Sequence, residues 1–142
     1  MEVSDIRRRL RGAIDQARQQ QTARRALVAD TVRAYERILD TIAVPVFQTL
    51  ASALVAEGHR FTIETPAGVV RLVRERNSAE RLELALDTER EVPAVVLRST
   101  RGRGNRTIAT EAIVAEGPGI ADVSDANLVD AVVQQLIPFI ER

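Results

Sequence analysis

The strongest chemical signal in this chain is a run of arginines set among small residues, Arg98-Ser99-Thr100-Arg101-Gly102-Arg103-Gly104-Asn105-Arg106. Guanidinium groups on flexible backbone grip phosphate or carboxylate with paired hydrogen bonds, and a nucleic-acid backbone offers phosphates in a row. The run lacks the Gly-Lys-Ser/Thr ending of a phosphate-binding P-loop. The same letters describe a hairpin loop, in which Gly102 and Gly104 supply positive φ and arginine keeps the tip soluble. The hairpin is the commoner meaning, so Arg98, Arg101, Arg103 and Arg106 stand as candidate ligands for phosphate or for an acidic partner, carried on a loop between two strands.

A second basic cluster opens the chain. Arg7, Arg8, Arg9, Arg11, Arg18, Arg24 and Arg25 face only Asp5 and Asp15 between residues 5 and 25. These too could lie along phosphates or anionic lipid. Base stacking has no support, because Tyr35, Phe47, Phe61 and Phe139 all fall outside both clusters. A solvated helix face, or pairing with acids of another molecule, is the simpler meaning. Acids are concentrated as well: Glu111, Glu116, Asp122, Asp125 and Asp130 occupy 111–130 with no base among them. The formal net charge is zero, with 20 basic and 20 acidic residues. Every basic residue is arginine, so arginine use is a habit of the whole chain and not only of these patches.

Catalytic chemistry has few carriers. There is no cysteine, which excludes a thiol nucleophile, a disulfide framework and a thiolate metal site. His59 is the single histidine, too few for a histidine-rich metal site or, with cysteine absent, for a Cys-His pair. Neither Gly-x-Ser-x-Gly nor Gly-x-Gly-x-x-Gly occurs. Glu83 and Asp87 alternate on the polar face of a predicted strand, where solvation accounts for them. No enzymatic activity, cofactor or metal is expected.

Elements that would carry these residues follow from periodicity. From Glu2 to Ala43 there is no proline and one glycine, Gly12. Apolar residues recur at Ile6, Leu10, Ile14 and Ala17, then at Val28, Val32, Tyr35, Ile38 and Ile42, in helical steps. Pro45 starts a second helix or kinks a continuous one. Pro45–Glu57 is apolar on most sides, and Gly58 fits its C-cap. After Gly58 the period becomes two. Strands are expected at 59–64, 69–74, 81–87, 92–98 and 107–115, joined by short turns that favour antiparallel neighbours. Ser124 is placed to cap a closing helix that runs to about Glu141, with Pro138 loosening its last turn. The expected fold class is α+β: a long N-terminal helix, an antiparallel five-stranded meander covered on one face by helices, and a C-terminal helix. Residues 1–57 form the helical, oligomerising segment; residues 58–142 form a globular unit together with 45–57.

A 42-residue helix would be about 63 Å long, whereas a compact domain of this size has a radius of gyration of about 14 Å. Its outer stripe therefore needs a partner, and a second copy in a twofold dimer is the simplest one. Ile6, Leu10, Ile14, Ala17, Val28 and Tyr35 are the expected coiled-coil-like interface, in a heptad seam interrupted by Gln21, Arg24 and Thr31. The longest uncharged stretch, 41–56, is shorter than the roughly 20 apolar residues of a membrane span and contains Pro45, Gln48, Thr49 and Ser52. A buried helix, no membrane insertion, no leader and a cytoplasmic location are expected. The layout of long helix, small sheet and closing helix resembles small bacterial secretion and chaperone-type dimers. The expected function is a non-enzymatic, homo-oligomeric adaptor that presents a sheet face or an inter-protomer groove to a protein. The alternative is a nucleic-acid-associated protein using Arg7, Arg8, Arg9 and Arg11 with the 98–106 stretch.

Overall fold

Helical periodicity in the first forty residues is realised as α1 (Val3–Ile38) in the computed structural model, which describes residues 1–141. Before Pro45, where the sequence predicts a new helix or a kink, a π-helical turn, Leu39–Ala43, leads directly into α2 (Val44–Ala56), with Pro45 in its first turn. Proline has no N–H to donate, and its ring collides with the carbonyl four residues back in a regular α-helix. Widening the preceding turn avoids that collision: the Val44 N–H bonds to the Leu39 carbonyl, five residues earlier. The helical run Val3–Ala56 thus contains a window long and apolar enough to cross a membrane by length and composition, and 28% of that window is buried within the protein.

The five strands are β1 (Phe61–Glu64), β2 (Val70–Arg74), β3 (Asn77–Asp87), β4 (Ala94–Arg103) and β5 (Arg106–Glu116). They pair in chain order, each antiparallel to the next, so the α+β meander expected from the sequence is the observed fold. A 3₁₀ turn, Gly117–Asp122, connects β5 to α3 (Asp125–Ile140). Ser124 caps α3 by accepting the Asn127 N–H. Pro138 lies inside α3, which continues two residues past it.

Two compact units divide the chain, one formed by residues 1–30 and one beginning at Thr31. The first is helical from Val3 onward, and its apolar residues Ile6, Leu10 and Ile14 are exposed. The second holds the core. Val70, Leu72, Leu82, Leu84, Val95 and Leu97 form one face of the sheet and are completely buried. Phe47 of α2 and Leu128, Val132, Leu136 and Phe139 of α3 belong to the same cluster. The last turn of α1 and the π turn add Tyr35, Ile38, Leu39 and Ala43.

Two expectations are corrected here. Tyr35, assigned to an interface between chains, is 3% exposed in its own chain's core, where its hydroxyl donates to the Gly68 carbonyl at 2.6 Å. Burial drives its pKa far above the ordinary phenol value. The heptad count could not separate an internal partner from an external one, because both require the same spacing. Residues 98–106 are not a loop either. β4 extends to Arg103 and β5 starts at Arg106, leaving a two-residue turn. Gly104 has φ 62° while Asn105 keeps a negative φ, as in a type II′ hairpin.

Candidate functional site

Strand alternation decides what the arginines of 98–106 can do. Successive side chains point to opposite faces, so Arg98 is separated from Arg101 and Arg103. Arg98 stands on the face turned away from the helices, within a single cross-strand row. The register pairs Glu64 with Arg71, Arg71 with Glu83, Glu83 with Arg98, and Arg98 with Glu111. One row thus alternates in charge across all five strands. Arg71 approaches Glu64 at 3.3 Å and Glu83 at 3.5 Å, while Arg98 donates to Glu111 at 2.9 Å. Asp87 and Arg90 extend the row: Arg90 pairs with both Asp87 and Glu111, and Arg98 lies 3.6 Å from Asp87. Glu83 and Asp87, read as merely solvated, are therefore paired. Arg98, a candidate ligand for phosphate or for an acidic partner, is engaged by carboxylates of its own sheet.

The hydrogen bond from Arg98 holds the Glu111 carboxyl below its ordinary range, and Arg90 adds to the effect. The Arg98 guanidinium is correspondingly raised, first by the same bond. A carboxylate with a depressed folded-state pKa contributes stability that is present above its unfolded value and lost as pH falls through the folded one. Stability should therefore decline on acidification below about pH 4.5, and Glu111→Gln should flatten that decline slightly, since exposed pairs contribute little. Urea titrations of both proteins at several acidic pH values test this; identical slopes would show that the row is energetically silent.

Arg101, Arg103 and Arg106 fall on the other side. Arg103 is the register partner of Arg106, and Arg101 is two residues back along the same face. Arg101 and Arg103 line a hollow of about 540 Å³ with Pro138 and Glu141 from the end of α3. That placement favours cations electrostatically, because the end of a helix carries partial negative charge.

The apolar site lies elsewhere, between α2 and α3. Helix α3 carries two apolar stripes. Leu128, Val132, Leu136 and Phe139 enter the core. Val133, Ile137 and Ile140 form a second stripe that is 42%, 38% and 41% exposed. With Leu50 and Ala53 of α2 they line a groove of about 360 Å³. Glu57 and His59 stand at its α2 end. The backbone there is fixed by a Schellman motif: the His59 N–H bonds to the Leu54 carbonyl and the Gly58 N–H to the Val55 carbonyl, with Gly58 at φ 87°. The sequence placed Gly58 correctly for this.

No family model, curated protein or solved structure matches this chain.

The remaining candidates sit on α1. Arg7, Arg8, Arg9 and Arg11 are exposed, as are Ile6, Leu10, Ile14 and Ala17, while Val28 is half-buried. Arg7, Arg11 and Arg18 border the Leu10–Ile14 stripe around a shallow hollow. The sequence does not set Val133, Ile137 and Ile140 apart from the other apolar positions of the closing helix, so the groove was not foreseen. The available signal was their number: α3 has more apolar positions than one covered face needs.

Proposed function

We propose that this chain is a non-enzymatic, homo-oligomeric interaction protein that receives an amphipathic helix of a protein partner in the groove between α2 and α3. The observation that carries this reading is the second apolar stripe of α3. Val133, Ile137 and Ile140 recur at helical spacing, are open to water, and face a wall of small and aliphatic residues on α2. Helix-in-groove recognition uses such a surface, read by anchors at i, i+3 or i+4, and i+7. The opposite face of the sheet is less suited to an apolar segment, because its central row is charged and internally paired.

Fluorescence anisotropy with a labelled amphipathic helical peptide, leucines on one face and arginines beside them, tests the reading. Saturable binding is expected. Ile137→Glu should weaken it about tenfold or more, since losing one buried aliphatic contact is worth about 1.5–3 kcal/mol. Unchanged binding by that variant would refute the groove as the docking site.

A second reading is phosphate binding by Arg101, Arg103 and Arg106, which lie on one side of the β4–β5 hairpin without a carboxylate partner among the described residues. Gel shifts of a short duplex at about 50 and 200 mM salt separate the two, because phosphate contacts weaken steeply with salt. Absence of a shift at the lower concentration removes this alternative.

A further inference from the structure

Two apolar surfaces of this chain are left uncovered, and their dimensions and charges match. One is the α2–α3 groove. The other is the N-terminal stripe of α1, where Ile6, Leu10 and Ile14 are 50%, 59% and 41% exposed. At 1.5 Å per residue the stripe spans about 12 Å and Val133–Ile140 about 10 Å. Arg7, Arg11 and Arg18, with a single acid, Asp15, flank the stripe, so its border carries net positive charge. At the groove, Glu57 lies at one end and Asp130 stands one turn before Val133 on the same stripe of α3. Among the described residues neither of these two acids forms a salt bridge, and none of those three arginines does. The uncovered cations and the uncovered anions therefore border complementary apolar surfaces.

We infer that the groove of each molecule is occupied by residues 3–18 of a second copy, the two N-terminal helices being exchanged reciprocally in a dimer. The inference rests on the groove reading and names its resting occupant. Reciprocal exchange covers both stripes and fills both grooves, and its twofold symmetry closes; a one-way contact would leave one groove and one arm open and would propagate into chains. An outside helix must then displace the arm, so the arm sets the affinity of the groove for any other partner.

The test uses full-length variants at exposed positions: an arm variant, Leu10→Glu with Ile14→Glu, and a groove variant, Val133→Glu with Ile137→Glu. Light scattering should give a dimer for the parent protein and a monomer for each variant, with helical circular dichroism retained. An equimolar mixture of the two variants should restore a dimer, because the intact arm of one enters the intact groove of the other. The arm variant should also bind the labelled helical peptide about tenfold more tightly than the parent, its groove being vacated. A monomeric parent, a dimeric arm variant, or a mixture that stays monomeric overturns the exchange. If the arm variant is dimeric yet both it and the parent bind the peptide and Ile137→Glu does not, the exchange fails while the groove stands. Flotation of a monomeric parent with vesicles of phosphatidylcholine and phosphatidylglycerol, lost in the arm variant, would assign the arm to lipid and likewise overturn the exchange.

Discussion

Arg74→Ala is expected to lower folding stability by about 3–5 kcal/mol, the range for removing one member of a buried ion pair. Three interactions converge on this guanidinium. It faces Glu80 at 3.7 Å, and Glu80 is 3% exposed although it lies on a strand. It donates to the Phe139 carbonyl at 2.8 Å, satisfying one of the acceptors that the end of α3 leaves open. Its carbon sits 4.8 Å from the Phe61 ring centroid, and Phe61 meets Phe139 edge-on at 6.1 Å. Alanine removes a countercharge from Glu80, which keeps a bond from Asn77 at 3.3 Å, together with the helix cap and the stacking partner. Arg74→Lys should recover only part of the loss, because an ammonium keeps the charge without the planar fork. Adding Glu80→Gln to Arg74→Ala should restore stability relative to the single variant, since the buried carboxylate is then neutral. Urea unfolding of the parent, Arg74→Ala, Glu80→Gln and the double variant measures this as a cycle. A single-variant loss under about 1 kcal/mol would mean that the pair behaves like a surface one.

Phe47→Ala should cost about 3–5 kcal/mol as well, by a different route. Phe47 is fully buried and lies two residues after Pro45, in the first turn of α2. Truncation leaves a cavity where α2 packs against the sheet. Because α2 also forms one wall of the groove, peptide affinity should fall with stability, unlike the effect of Ile137→Glu, which should reduce affinity while leaving thermal unfolding nearly unchanged. Thermal melts and anisotropy on both variants distinguish a wall that has shifted from an anchor that has been lost. A Phe47→Ala protein with parental affinity would show that α2 holds its position without the ring.

Much of the architecture was legible because it is written in short-range period. Leu82, Leu84 and Leu86 alternate, and β3 forms around them. Steps of three and four from Ile6 onward predict α1. Gly58 and Ser124 announce the ends of helices through the chemistry of caps, which involves only near neighbours in the chain. The misread residues are those whose partners are distant. Tyr35 has the spacing of a coiled-coil position and is a core residue bonded to Gly68. Arg98 has the letters of a phosphate loop and belongs to a row of alternating charge. Glu64, Arg71, Glu83, Arg98 and Glu111 lie 7 to 15 residues apart and show no common pattern until the strands are placed in register. Arg74 and Glu80 likewise carried no signal.

From the linear chain one can read which segments are helix or strand and which side of each is apolar, since those properties depend on residues within a turn or two. Which apolar side meets which, and which stripe is left in water, depends on long-range packing among surfaces of equal period. Val133 and Val132 are neighbours of the same type, yet one closes the core and the other lines an open groove, because the sheet can cover only one face of α3. That choice, made by packing, is what turns a surplus of apolar residues into a candidate binding site.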